Sequence, residues 1–242
     1  AEVIKVEPPY LSGHRSLSRV EPPPKPGTPG QTWNRAPIFN FMNRGKLSFP
    51  LNLSKPEGID IFKRLVRVCD VVMDNFSPRV MRNFGLEYAD LRVENPTIID
   101  VGLSGFGSNG PWRDWVAMGP GIEALTGITD LTGYPGGGPI RPGMLTSDLG
   151  AGIFGAFSTM AALEQRAQTG EGLFVDLSLL EMNLQFVGDA IAGFSGGASL
   201  DRREGNASAG AVPSGCYPCL ESDTWITVVI HTDSEWHTLC EA

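Results

Sequence analysis

One side chain stands where a carboxylate could do covalent chemistry. Asp148 lies in the run Met144-Leu145-Thr146-Ser147-Asp148-Leu149-Gly150-Ala151-Gly152, at the start of a long apolar helical segment. The helix dipole and the free backbone N–H groups at such a position favour the ionised form. The glycines and alanine around it leave room for a bulky substrate, and an ionised, accessible carboxylate can act as a nucleophile. The simpler role for an aspartate at a helix start is to cap it. Local sequence leaves both roles open.

Two other constellations compete for attention. Gly105-Phe106-Gly107-Ser108-Asn109-Gly110 has the G-x-G-x-x-G spacing and follows a strand-like run. A dinucleotide turn must then enter a helix whose N-terminus meets the pyrophosphate. Here Pro111-Trp112-Arg113-Asp114-Trp115 follows, without apolar periodicity, so a nicotinamide-dependent oxidoreductase is disfavoured. Cys216 and Cys219 form a single C-x-x-C. A zinc site would need a second pair, so two packed thiols are the expectation. Trp112 and Trp115 lie in a polar Gly/Pro context that suits a pocket wall or simple packing.

The elements that would position these residues follow from the apolar pattern. Strands are expected over 3–6, 47–53, 70–74, 97–103, 173–177 and 224–230. Pro50 marks the second as an edge or bulge. Helices are expected over 38–42, from 55 with Ser54 as cap, over 78–84 closed by Gly85, over 88–93, and over 120–126 ended by Gly127. The clearest helix spans 149–168, with Ile153, Phe154, Phe157, Met160, Ala161 and Leu163 facing the core and Gly170 as its stop. A further helix covers 179–194, and Ser234 caps a last one. Residues 8–37 form a proline-rich loop, and residues 195–214 a glycine-rich hinge. Strands alternating with helices imply an α/β fold with a mostly parallel sheet.

The chain has 242 residues, 41% of them apolar, enough to bury a real core. No stretch approaches the ~20 apolar residues of a membrane span. The net charge of -8, without a basic cluster, argues against nucleic acid. Four cysteines in this length suggest free thiols in a reducing, cytoplasmic compartment. Three histidines leave little material for a histidine-based metal site, and none is expected. The chain opens directly in a strand and closes in a helical run, as a fragment of a longer protein would.

Several blocks, none specific alone, together carry a family likeness. They are Glu2-Val3-Ile4-Lys5-Val6-Glu7-Pro8-Pro9, Asn43-Arg44-Gly45-Lys46, Leu51-Asn52-Leu53-Ser54-Lys55-Pro56-Glu57-Gly58 and Asp74-Asn75-Phe76-Ser77-Pro78. After them come Ser104 with the glycine loop to Pro111, Asp148 with Gly152, Thr169-Gly170-Glu171-Gly172 and Tyr217-Pro218-Cys219. In order and spacing the chain resembles the family III CoA-transferases over almost its whole length. The resemblance implies a Rossmann-like large domain, here residues 1–195 without its first strand and helix. Residues 196–242 would be linker, flap and the beginning of a smaller domain. It also implies an interlocked homodimer, with no membrane or nucleic-acid partner.

The family's catalytic aspartate falls on Asp148. Its coenzyme A contacts fall on Leu51, Asn52, Leu53 and Ser54, and on Asn75, Phe76 and Ser77. A family arginine near the adenine falls on Asn83, with Arg82 beside it. The segment ahead of the catalytic helix falls on Val116, Ala117, Met118 and Gly119. Many relatives carry a tyrosine and an acid at the last two positions, and Met118 and Gly119 supply neither. The family's flap falls on about Ala209, Gly210, Ala211 and Val212.

What this implies is a CoA-transferase moving CoA between an acyl-CoA thioester and a free carboxylic acid through an aspartyl anhydride and thioester. Acyl-CoA is then a substrate, and no metal takes part. Backbone N–H groups near Gly150 would stabilise the oxyanion. One alternative is an acyl-CoA racemase of the same superfamily, for which no histidine lies between His14 and His231. Another is a non-catalytic CoA-binding chain.

Overall fold

The computed structural model describes residues 1–9, 37–143, 146–198, 203–208 and 210–241. Most of the proline-rich 8–37 loop lies outside them. The first elements are β1 (Val3–Glu7), α1 (Pro37–Met42), β2 (Lys46–Pro50), α2 (Pro56–Val66), β3 (Val71–Asp74), α3 (Pro78–Phe84), α4 (Tyr88–Glu94) and β4 (Ile99–Ser104). There follow α5 (Gly119–Leu125), α6 (Ile128–Leu131), α7 (Thr146–Thr169), β5 (Leu173–Ser178), α8 (Leu179–Phe186) and α9 (Gly188–Ser195). The last are β6 (Ser214–Pro218), β7 (Trp225–Val229) and α10 (Asp233–Glu241).

The fold is α/β, with parallel sheets flanked by helices. β1 and β2 pair in parallel, with Val3 opposite Lys46. β3, β4 and β5 form a second parallel sheet, with Val71 opposite Ile99 and Ile99 opposite Leu173. β6 and β7 are antiparallel, with Ser214 opposite Val229. Along β4 alternate side chains divide between two faces. Ile99, Val101 and Leu103 pack with Ala162 of α7 and with Leu173, Val175 and Leu177 of β5. Ile98, just ahead of β4, packs with Leu86, Leu91, Met81 and Phe62 in a second core cluster.

Two ties fix the strand starts. Arg166 near the end of α7 donates from Nη1 to the carbonyls of Asp70 and Thr97 and pairs with the Asp70 carboxylate at 2.9 Å. Asn95 donates to the carbonyls of Val66 and Cys69. Gly170 takes φ 74°, stopping α7 as expected, and the chain then slides past the start of β4. A Cβ on Gly172 would stand 2.0 Å from the Ile98 carbonyl oxygen, so only glycine fits there.

Several local expectations are corrected. α7 turns Ile153, Phe157 and Met160 outward, each well over half exposed, and Phe154 lies at the margin. Ala161 is also exposed. The buried face is instead Ser147, Gly150, Ala151, Gly155 and Ala162. Small residues let the helix backbone approach closely: a Cβ on Gly155 would meet Leu103 at 3.2 Å, and one on Gly150 would meet the Met182 sulfur at 2.9 Å. The expected helix over 179–194 is two, broken at Val187, whose ψ of 16° leaves the helical range. Lys55, not Ser54, caps α2. Thr232 caps α10 in place of Ser234, accepting from the Glu235 N–H while the Glu235 carboxylate accepts from the Thr232 N–H. β6 was not anticipated, because its Ser-Gly-Cys-Tyr-Pro sequence carries little apolar alternation.

Replacing Gly172 by alanine is expected to destabilise the fold by about 1–3 kcal/mol or more through overpacking. Gly121→Ala, with nothing within 4 Å of the new methyl, should leave stability unchanged or slightly raised. Urea unfolding of the two variants measures the difference.

Candidate active site

The loop after β4 is the first device that shapes the site. Asp176 on β5 accepts from the backbone N–H of Ser108 at 2.9 and 3.0 Å, from the Ser108 hydroxyl, and from Asn109 Nδ2 at 3.3 Å. Gly107 turns at φ 80°, in the left-handed region that glycine enters freely. The glycines of residues 105–110 therefore build a loop pinned to the end of β5. The next helix, α5, begins only at Gly119, so the context required of a dinucleotide turn is missing. Phe106 packs edge-on against Trp112 and Trp115, whose rings stack with centroids 5.6 Å apart. Ala117 meets Gly105, where a Cβ would stand 3.2 Å from its methyl.

That path delivers Gly119 to the head of α7. Asp148 is the third residue of α7, in the first turn and solvent-accessible. Its carboxylate rests on Gly119: a Cβ there would lie 2.6 Å from Oδ2 and 3.1 Å from Cγ. Met118 caps α5, while Val116 and Met118 are largely exposed. One turn further along α5 is Glu123, fully buried. It accepts from Arg141 Nε at 3.4 Å and from the Ser147 N–H at 3.3 Å. Ser147 in turn donates from Oγ to Asn183 at 3.0 Å, and Asn183 donates to the Leu179 carbonyl at 2.8 Å.

The electrostatics run against the sequence expectation. Burial and then the charge of Glu123 push the Asp148 carboxyl above the usual aspartate range. Among the described residues no hydrogen bond is made to that carboxylate, and such bonds are what would favour the anion. Gly150, expected to offer a free N–H, lies past the first turn. Helix geometry pairs its N–H with the Thr146 carbonyl, and its buried backbone packs against Met182.

A second region gathers on the sheet face opposite α7. A cavity of about 360 Å³ is lined by Asp74, Phe76, Arg82, Tyr88, Asp100, Ser104, Phe174 and Asp176, among others. Of the residues expected to contact CoA, Phe76 lines it. Arg82 pairs with Glu87 at 3.0 Å, and Asn83 beside it is exposed. Asn75 and Ser77 flank Phe76, whose N–H donates to Asp74. Leu51 and Leu53 instead point into the core around Phe62. Asn52 Oδ1 accepts the Ser54 N–H, and the Asn52 carbonyl closes on Gly58. Asp148 does not line this cavity, nor do Gly210, Ala211 and Val212. Those three precede β6: Ala211 is buried, Val212 is exposed, and the Gly210 carbonyl lies 3.4 Å from His231 Nδ1. Ala209 lies outside the described residues. Cys216 is half-buried and Cys219 exposed, so the C-x-x-C is not a packed thiol pair.

Sequence reasoning missed Glu123, Asp100 and Asp176. Glu123 left one signal, a lone acid in the apolar run Gly121-Ile122-Glu123-Ala124-Leu125, four residues beyond Gly119 and so on the same helix face.

With this geometry in place, comparison with known proteins is direct. The chain matches CoA-transferase family III over residues 1–242 and belongs to that family. It is 32% identical over 242 residues to the human succinyl-CoA:glutarate CoA-transferase, covering 100% of this chain and 52% of that one. It is 33% identical over 230 residues to the succinyl-CoA–D-citramalate CoA-transferase of Chloroflexus aurantiacus, covering 93% and 57%. The crystal structure of a CAIB/BAIF family protein from Brucella suis superposes with a TM-score of 0.82 at 28% identity, covering 99% of this chain and 61% of that one. The chain thus spans about half the length of these curated relatives.

Asp100 supplies a test of the cavity. Burial, and then the charge of Asp74, raise its carboxyl from 3.8 to about 7. A carboxyl whose folded value lies above its unfolded one weakens the fold as pH rises between the two. Melting temperatures taken across pH 3.8 to about 7 should therefore fall more steeply for the native chain than for Asp100→Asn.

Proposed function

We propose that this chain is the catalytic part of a CoA-transferase that moves CoA between an acyl-CoA thioester and a free carboxylic acid. Asp148 would carry the acyl group. The observation that supports this most directly is the accessible Asp148 carboxylate seated on Gly119, in a chain that matches CoA-transferase family III throughout. The named activities of the relatives favour succinyl-CoA as donor and a dicarboxylate as acceptor.

In this reading the Asp148 carboxylate attacks the thioester carbonyl, giving a mixed anhydride and CoA thiolate. The thiolate attacks the aspartyl carbonyl, giving an aspartyl thioester and releasing the donor acid. The acceptor carboxylate attacks that thioester, re-forming an anhydride and thiolate. The thiolate then takes the acceptor acyl group and frees Asp148. Each step exchanges one activated acyl bond for another, so no ATP or metal is consumed. The protein must keep thiolate and anhydride together and exclude water.

The CoA contacts are assigned to Leu51, Asn52, Leu53 and Ser54, to Asn75, Phe76 and Ser77, to Asn83 with Arg82, and to the segment Val116, Ala117, Met118 and Gly119. For 51–54 the contact falls to the turn backbone and the Asn52 side chain, since both leucines face the core. Gly210, Ala211 and Val212 would close over the substrate. The change from parallel to antiparallel pairing after α9 supports a division near residue 195. The outward stripe of Leu149, Ile153, Phe157 and Met160 on α7 favours burial against a second copy in a homodimer. Four free thiols suit a reducing, cytoplasmic setting.

Mass spectrometry after incubation with succinyl-CoA and hydroxylamine should find the label on Asp148. Label on a different side chain would refute the role. Gly119→Ala should cut exchange by about 100-fold, because its methyl displaces the nucleophile. Unimpaired exchange in this variant would show that the seat does not matter.

A further inference from the structure

α5 presents two residues to the head of α7, four positions apart on one face. Gly119 is the floor under Asp148, and Glu123 is a carboxylate shut away from solvent one turn on. A buried carboxylate is costly unless it is held, and this one is held twice, by Arg141 and by the Ser147 N–H. Ser147 immediately precedes Asp148. The polar chain continues through Ser147 Oγ and Asn183 to the Leu179 carbonyl of α8, and Ser147 and Asn183 are themselves fully buried. Three helices are thus joined at the peptide that presents Asp148.

We propose that Glu123 is a positioning residue for Asp148: its clamped carboxylate fixes the first turn of α7 and keeps a second negative charge beneath the reacting carboxyl. This deepens the transferase reading and rests on Asp148 being the acyl carrier. The charged groups around this head are few. Glu123 is the sole charged residue of α5, and Glu181, the sole one of α8, is solvent-exposed. Arg141 comes from the loop between α6 and α7. The upward displacement of the Asp148 carboxyl has burial and Glu123 as its causes, in that order. A carboxylate held above its usual range is a stronger nucleophile once ionised, and it gains more when its charge is spread into an acyl bond. Glu123 would act through this destabilised anion and through the fixed geometry of the turn.

Glu123→Gln keeps an acceptor for Ser147 and removes the charge. In protein labelled with ¹³C at the aspartate carboxyls, the Asp148 titration midpoint should move down in this variant. Arg141→Gln, which leaves the carboxylate and takes away its cation, should move it up. With succinyl-CoA, Glu123→Gln should lower kcat about ten-fold with KM changed less than about two-fold, and should shift the acid limb of the pH profile downward. If Glu123→Gln fails to fold, the Arg141 variant carries the test. An unmoved midpoint in a folded variant, or movement the other way, overturns the proposal. The NMR readout does not depend on turnover. Hydroxylamine labelling at Asp148 with an unmoved midpoint defeats the coupling alone, and labelling elsewhere with a shifted midpoint defeats the transferase reading alone.

Discussion

The close approach of α7 to its neighbours organises this molecule. Gly150, Ala151, Gly155 and Ala162 bring the helix backbone against β4 and α8, at separations that a larger side chain would prevent. Dispersion falls steeply with distance, so a seam of small residues packs as firmly as interlocking large ones when the backbones can come near. The same seam decides where everything else goes. It places the head of α7 beside α5, its tail over the starts of β3 and β4 through Arg166, and its large apolar residues outside.

At the head of α7 two opposing effects meet. A helix N-terminus favours an anion, and that alone would hold an aspartate low. Here partial burial and the neighbouring Glu123 outweigh it, because the free Ser147 N–H is turned to Glu123 and not to Asp148. The carboxylate is left accessible, without a hydrogen bond from the described residues, and resting on a residue without a side chain.

The glycine loop after β4 illustrates how one spacing serves different ends. In a dinucleotide turn the glycines let a backbone approach a pyrophosphate at a helix start. In this chain they let the loop fold onto Asp176, with Gly107 in the left-handed region, and lead through the Phe106, Trp112 and Trp115 cluster to Gly119. The spacing is legible in the sequence; which partner it approaches depends on Asp176, some seventy residues away.

Much of the architecture followed from local chemistry. Apolar runs bounded by Gly and Pro placed five of the six expected strands closely. The exception was the run over 47–53, which became Lys46–Pro50 because the chain turns at Asn52. Gly85 and Gly170 ended their helices as the left-handed conformation requires. The sequence blocks also pointed to the family, since a block pattern is a matter of residue type and order. What tertiary structure alone decided was direction and environment. The apolar stripe of α7 was correctly seen as a stripe, but hydrophobic periodicity carries no sign for inside or outside when the opposite face is made of glycine and alanine. The upward shift of the Asp148 carboxyl depends on burial and on Glu123, which reaches the head of α7 only once α5 packs there. Helix periodicity acts over a few residues, whereas the field at a carboxylate is summed over whatever the fold brings near it.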